Sequence, residues 1–258
     1  MSRSDAARPD SGNPFLLCDA DGNLFGSEAP AFDASYTVVN DFLRSIGSTR
    51  RFSADELRRH TTGRNFRSTA AWLARLEARP VNEEELERWV QREKQEVTAH
   101  LAHTLRPDSA IRSALLQLSE HYDLTIVTSS ALSRVDRCLQ ATGLSDLFNP
   151  AWRFSAEDSL PSPRSKPAPD VYLHALDELG ASAEQALAIE DSVPGVRAST
   201  AAGVLTIGNT TFVAEGERAA SAAELERAGA LCVFTAWEEI VDFATSGEAA
   251  AKSVAIAT

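Results

Sequence analysis

The sequence predicts an α/β protein, a parallel sheet covered by helices and interrupted by an inserted all-helical cap, and two observations carry that prediction. Short apolar runs end in polar or glycine-containing turns and pass into helical patterns, the alternation that parallel strands require. Between the first apolar run and the second lie about a hundred residues whose apolar positions recur only at helical spacing, far beyond an ordinary strand-to-helix connection.

The strands are expected at Phe15 to Asp19, Leu124 to Thr128, Ala151 to Phe154, Leu187 to Glu190, Val204 to Gly208 and Leu231 to Phe234. The helices between the later strands are expected near Leu132 to Thr142, Asp170 to Leu179, Val193 to Ala202 and Ala219 to Ala228. In the insert, Val38, Val39, Phe42, Leu43 and Ile46, then Ala70, Leu73 and Leu76, then Leu86, Trp89, Val90 and Val97 mark about four helices by the 3.6-residue period. Gly47 and Gly63 are the expected breaks and Arg79-Pro80 a turn. These readings divide the chain into a core domain over residues 14–29 and 104–245 and a cap over 30–103, with flexible tails at 1–13 and 246–258. An insert directly after the first strand is well placed to act as a lid.

Composition narrows the function. A chain of 258 residues with 43% hydrophobic and 24% charged residues can bury a substantial core. Its 25 basic and 37 acidic residues leave a net charge of −12, which disfavours the clustered positive surface that nucleic acid needs. No apolar stretch approaches membrane-spanning length, and Met1 to Pro14 is polar where a secretory signal is apolar, so a cytoplasmic protein without a membrane partner is expected. Cys18, Cys138 and Cys232 lie far apart in apolar company and read as buried thiols.

Four stretches carry chemistry, each at an expected element boundary. Asp19 and Asp21 close the first strand before Gly22. Crowded carboxylates at a strand's carboxyl end favour a divalent cation or a shared proton, and oxygen ligands select Mg²⁺; a plain Asp-Gly turn is the alternative. Glu190 and Asp191 form a second acidic pair at another strand end, where Asp191 or Ser192 could equally be a helix cap. Lys166 lies in Ser165-Lys166-Pro167-Ala168-Pro169, a stiff loop that lowers the entropy cost of fixing a cation, or else a solvated turn. Thr128, Ser129 and Ser130 place hydroxyls beside a helix N-terminus, which suits a phosphate or simple capping.

The order of these stretches, with Lys166-Pro167-Ala168-Pro169-Asp170-Val171-Tyr172 followed by Ile189-Glu190-Asp191-Ser192, Gly195-Val196-Arg197-Ala198 and Ala201-Ala202-Gly203, resembles the haloacid dehalogenase superfamily. Within it, the likeness is to the helical-cap branch related to β-phosphoglucomutase and sugar phosphatases, and it covers residues 15 to about 243. The resemblance implies a Rossmann-like core and a Mg²⁺-dependent phosphatase acting on a small phosphorylated metabolite, a sugar or polyol phosphate. It further implies Asp19 as nucleophile, Asp21 as general acid and base, Thr128 with the Ser129 N–H as phosphoryl holder, and Lys166 as charge neutraliser. The metal would be held by Asp19, the Asp21 carbonyl and Asp191, with Glu190 as ligand or water-mediated support. A phosphomutase of the β-phosphoglucomutase type and a non-catalytic phosphometabolite-binding regulator are the alternatives, and a monomer or weak homodimer is expected.

Three departures from the family pattern stand out. Asn23 replaces the usual Thr after the Asp-Gly pair and is expected to donate to a carboxylate; Gly26 replaces a common Asp; and Leu160 to Ser165 lengthens the lead into the lysine motif. In the cap, Arg64, Asn65 and Arg67 fall in a stretch resembling the one by which related caps touch substrate, where they would supply donors for sugar hydroxyls or a second phosphate.

Overall fold

The computed structural model describes residues 12–61 and 65–246. The expected tails lie almost wholly outside the described residues, as do Gly63 and Arg64. Two compact units divide the chain, one from Ser27 to Leu105 and one from the segments on either side of it.

The flanking segments build a six-stranded sheet from β1 (Phe15–Cys18), β2 (Asp123–Thr128), β3 (Arg153–Ser155), β4 (Ala186–Glu190), β5 (Leu205–Asn209) and β6 (Val233–Phe234), in the order β3-β2-β1-β4-β5-β6. Every pairing is parallel, with Cys18 opposite Ile126 on one side and Ile189 on the other. Helices cover such a sheet on both faces, so its central strand must be apolar throughout, and all four residues of β1 are fully buried. Each such aliphatic or aromatic side chain contributes roughly 1.5–3 kcal/mol by leaving water.

Two helices of this unit, α5 (Ser109–Ser119) and α10 (Trp237–Thr245), fall outside the elements expected from sequence. Both carry the signal: Asp108 caps α5 through the N–H groups of Ala110 and Ile111, and Ile111, Ala114, Leu115 and Leu118 form its buried stripe. They pack on each other, and the Tyr122 hydroxyl donates to the Ala244 carbonyl behind them. The remaining helices are α6 (Leu132–Thr142), α7 (Asp170–Leu179), α8 (Val193–Ala201) and α9 (Glu215–Ala228). The expected strand at Ala151 to Phe154 begins later, because Asn149 caps a short 3₁₀ turn over Pro150–Trp152.

The unit Ser27–Leu105 is helical: α1 (Glu28–Ser45), α2 (Ala54–Thr61), α3 (Phe66–Leu76) and α4 (Glu83–Thr104). Val38, Val39, Phe42 and Leu43 of α1 pack with Ala70 and Leu73 of α3 and Leu86 and Val90 of α4, the residues expected from the helical period. Leu76, expected among them, is instead exposed at the last position of α3. Gly47 takes a positive φ of 73° just past the α1 C-cap Ile46, which ends the helix as expected.

Candidate active site

The chain leaves β1, builds β2 and β3 on one side, and returns to place β4 on the other, so the order of the sheet reverses beside β1. In open parallel sheets the crevice at that reversal, outside the carboxyl ends of the strands, is where ligands bind. Asp19 follows β1 at that edge, and Glu190 ends β4 there. Parallel register makes them neighbours, since the Asp19 N–H donates to the Ile189 carbonyl at 3.0 Å.

Lys166 joins the two acidic groups. Its Nζ lies 2.5 Å from Asp19 Oδ1, 2.7 Å from Glu190 Oε1 and 2.8 Å from the Val127 carbonyl, which uses all three ammonium protons. The lysine side chain is only 5% exposed, so its ammonium is not solvated although Ser165 and Pro167 beside it are exposed. Burial alone would lower its pKa, but the Asp19 and Glu190 carboxylates override that and hold it charged, well above the ordinary lysine range. Burial pushes Asp19 the other way, up to about 7, with Lys166 opposing the rise and Glu190 adding to it. A second donor, the Tyr172 hydroxyl, reaches Glu190 Oε1 at 2.5 Å, and the Lys166 ammonium lies 5.2 Å from the centre of the Tyr172 ring. Tyr172 belongs to the lysine motif, yet its part here was not legible as chemistry, because a Tyr on a helix reads first as core.

The acidic set fits a divalent cation. Carboxylate oxygens of Asp19, Glu190 and Asp191 lie within 4.8 Å of one another, a group of hard donors with one ammonium among them. Glu190 Oε2 is buried with no hydrogen-bond partner among the described residues, so this group has an oxygen to offer. Two glycines make room for the set. A Cβ on Gly195 would stand 1.7 Å from Glu190 Oε2, and one on Gly22 would stand 2.1 Å from Asp191 Oδ2. Gly22 also has a positive φ of 78°, so both space and backbone require glycine there. Of the two capping candidates on α8, Ser192 is the cap, accepting from the Gly195 N–H.

Asp21 is held from the β2 side. Its Oδ2 accepts from the Ser130 hydroxyl at 2.6 Å and its Oδ1 from Arg134 at 3.1 Å. Arg134 sits on the first turn of α6, and no motif in the sequence marked it. Thr128 Oγ1 accepts from the Ser130 N–H at 3.1 Å, and a hydroxyl that accepts keeps its own O–H to donate. Ser129 Oγ accepts from the Lys166 N–H at 3.3 Å, tying the lysine loop to the end of β2. At the N-terminus of α6 the Leu132 N–H donates to Asp158 Oδ2 at 2.6 Å.

Asn23 donates to main-chain carbonyls, those of Asp19 at 2.9 Å and Ile189 at 3.4 Å, and not to a carboxylate, because the turn after β1 folds its side chain back under the sheet edge. Cys232 is partly exposed, while Cys18 and Cys138 are buried and burial pushes Cys138 up to about 12. In the helical unit, Asn65 caps α3 through the Ser68 N–H, and Arg67 pairs with Glu83 and Glu87 of α4. Arg64 lies outside the described residues.

The family model of haloacid dehalogenase-like hydrolases matches residues 19–209. The CbbY protein of Cupriavidus necator, plasmid-borne, is 44% identical over 96 residues, 36% of this chain and 36% of its own length. The match therefore spans about a third of that relative. Among solved structures, CbbY from Rhodobacter sphaeroides in complex with xylulose 1,5-bisphosphate aligns with a TM-score of 0.65 at 22% identity, covering 88% of this chain and 96% of that one. A β-phosphoglucomutase from Clostridium difficile aligns at 0.66 with 15% identity, covering 94% and 99%. These two likenesses are of fold. No helix among the described residues is long and apolar enough to cross a membrane. With the matched segment running from Asp19 itself to the end of β5, the chain belongs to the haloacid dehalogenase-like hydrolases.

Proposed function

We propose that this hydrolase is a phosphatase that cleaves a small phosphorylated metabolite, a sugar or polyol phosphate, through an aspartyl-phosphate on Asp19. The observation that carries this reading is the buried Asp19 carboxylate held 2.5 Å from Lys166 at the sheet's reversal point, with Glu190 and Asp191 beside it. Phosphoryl transfer asks for little from a protein beyond positioning and neutralisation of charge, and this arrangement offers both.

An Asp19 oxygen attacks phosphorus while the bond from phosphorus to the ester oxygen breaks, and a protonated Asp21 gives its proton to the departing alkoxide. Water then attacks the phosphorus of the aspartyl-phosphate, Asp21 takes a proton from that water, and the Asp19–phosphorus bond breaks to release phosphate. Lys166 stays charged throughout and offsets the negative charge gathering near Asp19, while the Thr128 hydroxyl and the Ser129 N–H hold phosphoryl oxygens. Asp19, Asp191, the Asp21 carbonyl and Glu190, directly or through water, would hold Mg²⁺. Bound there, it would neutralise phosphoryl charge and orient the ester. Arg64, Asn65 and Arg67 are proposed to select among substrates; Arg67 would exchange its ion pairs with Glu83 and Glu87 for the ligand.

The test is phosphate release across sugar, polyol, nucleotide and bisphosphorylated sugar esters, with and without Mg²⁺. Release that needs the metal and prefers a sugar or polyol phosphate supports the proposal. Isomerisation of a sugar phosphate without release would assign a phosphomutase, and binding without turnover a regulator.

A further inference from the structure

Behind the catalytic loop lies a chain of buried amides that the reaction steps above do not use. Asn23 and Asn209 are both fully buried. The Asn209 Nδ2 donates to Asn23 Oδ1 at 2.8 Å, and Asn23 Nδ2 donates to the carbonyls of Asp19 and Ile189. At the far end, Asn209 Oδ1 accepts from the Thr211 N–H at 3.0 Å and the Thr211 hydroxyl at 2.6 Å.

The direction of this relay is set by its ends. A backbone N–H can only donate, so the Thr211 N–H requires an oxygen from Asn209. A backbone carbonyl can only accept, so Asp19 and Ile189 require the nitrogen of Asn23. Both ends demand the same orientation of both amides. The relay thus runs from the end of β5, across to the turn after β1, and onto the ends of β1 and β4. The Ile189 carbonyl it reaches is the one that also accepts the Asp19 N–H.

We propose that Asn23 and Asn209 are a positioning pair that pins the main chain of Asp19 against β4, so that the nucleophile keeps its distance from Lys166, Glu190 and Asp191. A threonine at position 23 would have a shorter reach and no amide oxygen to meet Asn209. The pairing with Asn209 is what makes asparagine useful here. Removing Asn209 leaves a buried Asn23 oxygen with no donor and frees the amide to turn, which releases the two carbonyls.

The inference rests on Asp19 being the nucleophile, so the test reads structure and activity separately in the full-length protein. Hydrogen exchange is measured over residues 19–24 with β2 as internal reference, alongside kcat and KM for p-nitrophenyl phosphate with Mg²⁺ and the thermal melt. For Asn209→Ala the expected result is exchange over 19–24 at least about tenfold faster with β2 unchanged, kcat lower by about tenfold, and KM within about twofold. A second substitution separates pairing from general packing. In an Asn23→Thr background, Asn209→Ala should change kcat by less than about twofold, because the partner it served is gone.

Unchanged exchange over 19–24 in Asn209→Ala, a kcat within about twofold of wild type, or effects that multiply in the double variant would each overturn the proposal. If Asn209→Ala does not fold, Asn23→Thr alone is read by the same criteria. If the wild-type protein releases no phosphate, the functional reading fails, and the exchange measurement still decides whether the pair pins this loop.

Discussion

Lys166 Nζ lies 2.5 Å from Asp19 Oδ1, and neither side chain is more than 10% exposed. A buried pair of this kind is costly to break from one side, because the partner left behind keeps its desolvation penalty. Lys166→Met should therefore destabilise the metal-free protein at neutral pH by about 3 kcal/mol and lower turnover by about a hundredfold or more. Urea unfolding in EDTA and p-nitrophenyl phosphate kinetics check the two effects; a variant with normal turnover would remove Lys166 from the charge balance.

The raised pKa of Asp19 gives stability a pH dependence of known sign. A carboxyl that is harder to ionise in the folded state than in the unfolded one stabilises the fold fully below its unfolded value of 3.8, and that contribution is lost as pH rises toward about 7. In EDTA, wild type should therefore lose stability relative to Asp19→Asn between about pH 5 and pH 7.5, by on the order of 3 kcal/mol. The comparison of the two proteins by urea unfolding at each pH cancels the titrating groups remote from Asp19. A constant difference across that window would contradict the assigned burial cost.

The two close approaches of glycine to carboxylate should be intolerant of a methyl group. Gly195→Ala would drive a Cβ into Glu190 Oε2, and Gly22→Ala would meet Asp191 Oδ2 while forcing alanine to a positive φ. Each should cost about 2 kcal/mol or more and weaken metal binding, since the displaced groups are the acidic ones. Thermal melts with and without Mg²⁺ report both: the metal-induced rise in Tm should shrink in each variant.

Much of this site was legible in the sequence because its residues lie at the ends of apolar runs, where strand and turn chemistry fix their position. Asp19 and Glu190 are of that kind, Lys166 was legible from its place between prolines in a stiff loop, and the structure brings the three within hydrogen-bond reach. What was not legible depends on contacts between distant segments. Tyr172 and Arg134 sit on helices whose period explains them without any site, and Asn209 ends a strand with no motif around it. Asn23 stood out as a departure, but its partners include the Ile189 carbonyl 166 positions away and the Asn209 amide 186 positions away, which no local pattern reveals. The helical unit reads differently again: its apolar period showed its core, while Asn65 and Arg67 have capping and ion-pair partners that only the folded unit shows.

Asp21 should be separable from Asp19 by the leaving group. An alkoxide from a sugar needs a proton and p-nitrophenolate does not, so Asp21→Asn should lose about a hundredfold or more on a sugar phosphate and less than about tenfold on p-nitrophenyl phosphate. Paired kcat/KM values on the two substrates decide this. Equal losses would mean that the contacts of Asp21 with Ser130 and Arg134 serve the loop and not proton transfer.

The central claim is that Asp19 carries the phosphoryl group, and trapping it is the most direct test. The protein is mixed with substrate and Mg²⁺, quenched in acid within a single turnover and reduced with borohydride, which converts an aspartyl-phosphate to homoserine; the peptide spanning residues 15–25 is then read by mass spectrometry. The account predicts homoserine at position 19, only in the presence of substrate, and none in Asp19→Asn, which should also lose turnover by several orders of magnitude. An unmodified Asp19 in an actively turning-over protein, or near-normal phosphate release by Asp19→Asn, would contradict it.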